Sequence, residues 1–141
     1  MTRKKFRIIL DTNVLYAGLY SSQGASYKIL EAIEEGKLQT VLSITLLFEY
    51  EDILKRNQTT LGLSNHDIEN ILDYFCLQSE HQKIYFLWRP YLPDPKDDHL
   101  LELAVASGVK LITTFNTKDF RGVERFNIKT ITLKKLLEEL L

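Results

Sequence analysis

The sequence predicts an α/β fold: a single three-layer α/β/α domain spanning residues 1–141, built on a mainly parallel sheet of roughly five strands. Three observations lead there. Short apolar runs alternate with amphipathic helical segments, the pattern of a parallel sheet covered on both faces. The 141 residues suit one domain and leave little room for a second. Composition is ordinary for a globular chain, with 45% hydrophobic and 26% charged residues, and no repeat, linker or low-complexity stretch breaks it.

Taken in order, Arg7-Ile8-Ile9-Leu10-Asp11 is a short apolar run of the kind that forms a buried parallel strand. From Ser26, residues Tyr27, Ile29, Leu30, Ala32 and Ile33 recur at helical spacing, and Gly36 supplies a stop. Thr40 to Ile44 reads as the second strand. A helix follows from Thr45 to Arg56, with Leu46, Leu47, Tyr50, Ile53 and Leu54 on one face. Ser64 is placed to cap a long helix carrying Ile68, Ile71, Leu72 and Phe75. Ile84-Tyr85-Phe86-Leu87-Trp88 reads as a third strand, and all three prolines, Pro90, Pro93 and Pro95, punctuate the loop behind it. Asp97 to Ser107 is helical and ends at Gly108. Lys110 to Phe115 and Lys129 to Leu133 read as the fourth and fifth strands, with a last helix from Lys134 to Leu141.

Charge is nearly balanced, with 18 Lys and Arg against 19 Asp and Glu. Nucleic-acid binders usually carry a basic excess, so any nucleic acid here must be held by a local patch or through a metal. Cys76 is the single cysteine, which excludes an intrachain disulfide and suggests a reducing compartment. Its apolar neighbours mark it as a packing residue. No segment has a signal-peptide core or the length to span a bilayer. The chain is therefore expected to be soluble and cytoplasmic.

Candidate chemistry gathers at strand ends, where open α/β sheets bind ligands. Asp11 closes an apolar strand and so reaches the rim of the sheet, either to meet a metal or substrate or to cap the next helix. Asp97 opens a helix whose Leu100, Leu101 and Ala104 follow at spacings of three, four and seven. That puts Asp97 within the apolar stripe and Asp98 and Glu102 to its side. An inward carboxylate must be paired, hydrogen-bonded or metal-bound; capping the helix is the alternative. The helical wheel sets Glu49 and Glu51 on opposite borders of their stripe. Glu51 and Asp52 have Lys55 and Arg56 four residues on, whereas Glu49 has no such partner. Asn116 and Asp119 lie three apart after the fourth strand and would share a face of a helical turn. Asp94 reads as a loop residue. His66, His81 and His99 lack metal-ligand spacing and read as surface residues.

These residues together resemble a PIN domain. The resemblance is carried by Ile8 to Leu15, Ser43 to Tyr50, Asp97 to Ala104 and Leu111 to Phe120, four blocks in order over nearly the whole chain. Within that family the sequence is most similar to the VapC-like toxins of bacterial toxin–antitoxin pairs. The resemblance implies cleavage of single-stranded or structured RNA, a homodimer and an antitoxin partner. It matches the family's acids to Asp11, Glu49 and Asp97, with the fourth position at Asp119 or its amide variant at Asn116. Converging carboxylates repel one another without a cation. All-oxygen ligation suits Mg²⁺ or Mn²⁺, as one or two ions, which can activate water and stabilise the leaving oxygen of a phosphodiester. Thr12, Asn13, Asp94, Asp98 and Asn116 would then orient carboxylates or substrate, and Lys118, Arg121 and Arg125 are candidates for phosphate contact. Two other readings compete. One is a non-catalytic PIN-like module binding metal or nucleic acid. The other is a phosphatase of the haloacid dehalogenase type, whose expected second aspartate is here Asn13.

Overall fold

The computed structural model describes residues 6–140; the last residue of the expected final helix, Leu141, lies outside them. Five parallel strands form one sheet: β1 (Phe6–Leu10), β2 (Leu38–Leu42), β3 (Glu80–His81), β4 (Leu111–Thr113) and β5 (Lys129–Ile131). Their order is β3-β2-β1-β4-β5. Ile8, Ile9 and Leu10 of β1 are fully buried, as a central strand covered on both faces requires. Among the described residues seven α-helices surround the sheet: α1 (Thr12–Tyr20), α2 (Ala25–Glu34), α3 (Ile44–Arg56), α4 (Gln58–Leu61), α5 (Asn65–Gln78), α6 (Asp98–Ser107) and α7 (Leu133–Glu139). Together they make the three-layer α/β/α fold.

The helix signals are chemical and local. Ser64 caps α5 in a reciprocal capping box with Asp67. Ser43 accepts from Leu46 N–H to cap α3. Gly108 ends α6 with φ +75°, a conformation that disfavours any side chain. Helix α1 follows β1 without a loop, and the apolar pattern of the sequence does not foretell it. Its Gly18 explains the close approach of α2: a Cβ there would stand 2.6 Å from Leu30 Cδ1.

The expected third strand is the main correction to the fold. Residues 84–88 are not a strand; Tyr85 and Phe86 are both 76% exposed. The paired β3 lies earlier, at Glu80–His81, opposite Val41 and Leu42. Gln82 N–H still donates to Leu42 carbonyl, but there β2 ends, because Ser43 turns the chain into α3. Residues 84–88 lie past the end of β2 and so do not extend β3 along it, whatever their β-propensity.

Tyr50 ties α3 to the central strand. Its buried hydroxyl donates to the Leu10 carbonyl at 2.6 Å, and burial, then the charge of Asp11, pushes its pKa well up, so it stays a donor. Tyr50→Phe is expected to cost about 1–2 kcal/mol, read from urea unfolding at pH 7. An unchanged midpoint would mean that the Leu10 carbonyl needs no partner there.

Candidate active site

Strand order reverses between β1 and β4, since the chain first builds outward through β2 and β3 and then returns to the other side of β1. The carboxyl ends of β1 and β4 therefore form the switch point where open sheets bind ligands. Asp11 stands there. Its N–H continues the ladder to the Thr113 carbonyl at 3.0 Å. Its carboxylate accepts from Thr12 N–H at 2.8 Å and from Thr114 Oγ1 at 2.7 Å across the switch point. Thr114, fully buried beyond β4, was not anticipated; the strand-end logic that singles out Asp11 applies equally to it.

Asp11 both caps α1 and belongs to an acidic cluster. Burial raises its pKa, the Thr114 and Thr12 hydrogen bonds and His99 act against that, and Glu49 adds repulsion. Asp97 is the N-cap of α6 and half-buried. Its pKa is pushed up to about 6, chiefly by burial and then by the charges of Asp11, Asp94 and Asp119, with His99 opposing. Repulsion thus links Glu49 to Asp11, Asp11 to Asp97 and Asp97 to Asp119, although the four come from separate segments. Asp119, half-buried, and Asn116, exposed, both sit at the 3₁₀ turn after β4. Asn116 spends its N–H on Thr114 Oγ1, while Asp119 supplies the charge felt at Asp97.

An open cleft of about 780 Å³ lies against this cluster, lined by Thr12, Glu49, Asp94 and Asp97 together with Thr45, Phe48, Asp52, Ile53, Arg56 and Lys96. Asp94 caps the short turn before α6, accepting from Lys96 N–H at 3.0 Å. The expected i,i+4 pairs form, Glu51 with Lys55 and Asp52 with Arg56, which leaves Glu49 as the cleft-lining acid of α3 without a partner on its own helix. Asn13 sits in the first turn of α1 with its Oδ1 buried and without a hydrogen-bond partner among the described residues. Lys118, Arg121 and Arg125 are exposed and do not line the cleft; Arg56 and Lys96 are its basic residues.

Helix α6 departs from the wheel in two respects. Asp98 and Glu102, placed beside the stripe, are buried. Asp98 accepts from Leu92 N–H at 2.8 Å and Tyr91 N–H at 3.3 Å; Glu102 accepts from Trp88 N–H at 2.7 Å and Arg89 Nε at 3.0 Å. These two acids fasten the proline-rich loop over α6, and the loop buries them in turn. His99 is also buried, not a surface residue. Its Nε2 lies 3.3 Å from Glu49 Oε2 but outside hydrogen-bond geometry, and both ring nitrogens lack a hydrogen-bond partner among the described residues.

The donor set fits a hard cation: oxygen ligands, mutual repulsion and an Asp97 carboxyl pushed up to about 6, first by burial and then by the neighbouring acids. Among the described residues no three His, Cys, Asp or Glu side chains form a ready-made cage.

Comparison with known proteins bears on the fold. A family model described as PIN domain matches residues 7–118, ending one residue short of Asp119. No curated protein sequence matches the chain. Among solved structures, the chain is similar to VapBC2 from Rickettsia felis, crystallised bound to a DNA fragment from its promoter. That likeness has a TM-score of 0.60 at 16% identity, covering 90% of this chain and 98% of that one. PAE2754 from Pyrobaculum aerophilum is also similar, with a TM-score of 0.56 at 17% identity over 96% of this chain and 95% of that one.

Proposed function

Since this chain belongs to the PIN-domain family, whose members are generally nucleases and usually use divalent metals, we propose that it is a Mg²⁺- or Mn²⁺-dependent endoribonuclease. One observation supports the reading: Asp11 at the strand-end switch point is electrostatically coupled to Glu49 and Asp97, and Asp97 to Asp119, beside an open cleft lined by Glu49 and Asp97. Asp11, Glu49 and Asp97 would hold the cation directly or through water, and Asp119 would complete or orient its surroundings. When bound, the cation supplies Lewis acidity and positive charge at the phosphodiester. The chain's own residues then orient the reaction. Thr114 and Thr12 fix the Asp11 carboxylate by two hydrogen bonds, and His99 stands behind Glu49. Asp94 adds to the negative field. The whole chain acts as one catalytic domain.

The likeness to VapBC2 supports extending the proposal to the toxin of a toxin–antitoxin pair, working as a homodimer with a cognate antitoxin in the cytoplasm. Among the described residues no helix is long and apolar enough to cross a membrane.

The test combines calorimetric Mn²⁺ titration with cleavage of a mixed single-stranded RNA pool. Wild type is expected to bind Mn²⁺ and to cut RNA only when it is present. Asp11→Asn is expected to lose at least about 100-fold in cleavage with its circular dichroism unchanged, because a ligand matters more than the outer-shell groups whose loss costs 10–100-fold. Mn²⁺ binding without turnover on any RNA would instead favour a non-catalytic module.

A further inference from the structure

One wall of the cleft is a continuous stripe of α3: Thr45, Phe48, Glu49, Asp52, Ile53 and Arg56, at the spacing that keeps residues on one helical face. Phe48 stands in that stripe next to Glu49, and it is 61% exposed. A lone exposed aromatic is ordinary on a surface. This one is distinguished by its place, beside the carboxylates and opposite Asp94, Lys96 and Asp97 on the other wall. The same stripe carries positive charge at its far end. Seven residues separate Glu49 from Arg56, about 10 Å along the helix. A phosphate met by Arg56 is therefore a neighbour of the one at the acids. Among the described residues Arg56 pairs only with Asp52, at 2.9 Å and with both side chains over 60% exposed, a contact cheaply exchanged. Lys96 forms no ion pair among the described residues.

We propose that Phe48 is a base-stacking platform that makes the site select an unpaired nucleotide beside the scissile phosphate, with Arg56 and Lys96 meeting flanking phosphates. The inference rests on the ribonuclease reading and deepens it. An aromatic face binds any base whose own face is free, and a single strand offers such faces whereas a duplex keeps them stacked. An acidic centre flanked by cations and an aromatic shelf is thus suited to a backbone threaded past the acids with one base laid aside on Phe48. Beyond the cation at the cut, phosphate repulsion from the acids is offset along the strand, which accommodates the near-neutral charge of the whole chain.

The test uses the full chain and one mixed-sequence RNA 12-mer with 2-aminopurine next to the mapped cut, as single strand and as blunt duplex. Cleavage is followed in Mn²⁺, and binding by 2-aminopurine quenching in the Asp97→Asn background. The single strand is expected to be cut and quenched in preference to the duplex. Phe48→Ala should raise KM and weaken binding on the order of 10-fold, with kcat at saturation nearly unchanged. Phe48→Trp should restore both, whereas Phe48→Leu should not. Tyr85→Ala, another exposed aromatic that does not line the cleft, should behave as wild type. Wild-type cleavage that is unaffected by Phe48→Ala, or fully rescued by Phe48→Leu, overturns the platform and leaves the ribonuclease reading standing. Phe48-dependent quenching without cleavage in the Asp97-intact protein overturns the nuclease and keeps the platform. Neither binding nor cleavage overturns both.

Discussion

Asp97→Asn is expected to abolish RNA cleavage and, in the same protein, to raise the melting midpoint at pH 7. The carboxyl of Asp97 is pushed up to about 6, against an ordinary value of 3.8, first by burial and then by Asp11, Asp94 and Asp119. Between those two values the native chain holds more proton at this position than the unfolded chain does. Stability therefore falls as pH rises through about 4 to 6, and above 6 the ionised carboxylate opposes folding in full. Asparagine keeps the shape and removes the charge, so the pH slope flattens and neutral stability increases. Because Asp97 is only half-buried, solvent moderates the size of the effect; its sign is the result to read. Mn²⁺ should raise the wild-type midpoint more at pH 7 than at pH 5, since a cation binds the ionised cluster and not the protonated one. In Asp97→Asn that response should shrink. Identical pH profiles by scanning calorimetry in the two proteins would show that Asp97 carries no unfavourable charge, and the case for a cation there would lose its support.

This pairing of lost activity with gained stability explains which parts of the site were readable in the sequence. Asp11 could be found because a polar residue ending an apolar strand has one place to go, the rim of the sheet, and there the geometry agrees with the pattern. Helix direction does not separate Asp97 from Asp98: the wheel puts Asp97 in the buried stripe, yet Asp97 stands half-exposed at the N-cap of α6 while Asp98 is fully buried. A helical wheel considers only the packing of its own helix, and here residues 88–92 fold over α6 and bury the flanks holding Asp98 and Glu102. The same loop accounts for the missing third strand. Apolar residues 84–88 carry β-propensity, yet pairing depends on the length of β2, which the Ser43 cap cuts short. Glu49 sat on the border of its stripe and could be chosen only through family resemblance. His99 and Thr114 escaped because their significance lies in neighbours distant in sequence, Glu49 for one and Asp11 for the other.

Asp98→Ala is expected to act in the opposite sense to Asp97→Asn, lowering stability by about 2–4 kcal/mol in urea unfolding at pH 7. Asp98 is fully buried, and its oxygens accept from the backbone of Leu92 and Tyr91. Alanine leaves those donors unmet, one of them on the buried Leu92, and removes the tie that holds the loop. The damage should spread along a defined route. Tyr91 donates its hydroxyl to the Gly122 carbonyl at 2.8 Å and meets Phe126 edge-on, as does Trp88. Releasing Tyr91 therefore loosens the 3₁₀ turn Val123–Phe126, which follows the turn bearing Asp119. It also frees the segment that presents Asp94, Lys96 and Asp97 to the cleft, so cleavage should fall even at temperatures where the chain stays folded. Asp98→Asn keeps one acceptor oxygen for Leu92 and should recover much of the loss. Two adjacent aspartates are thereby assigned by the sign of one measurement. The acid whose removal stabilises the fold is held in place for chemistry, and the acid whose removal destabilises it is part of the scaffold that brings the first into position.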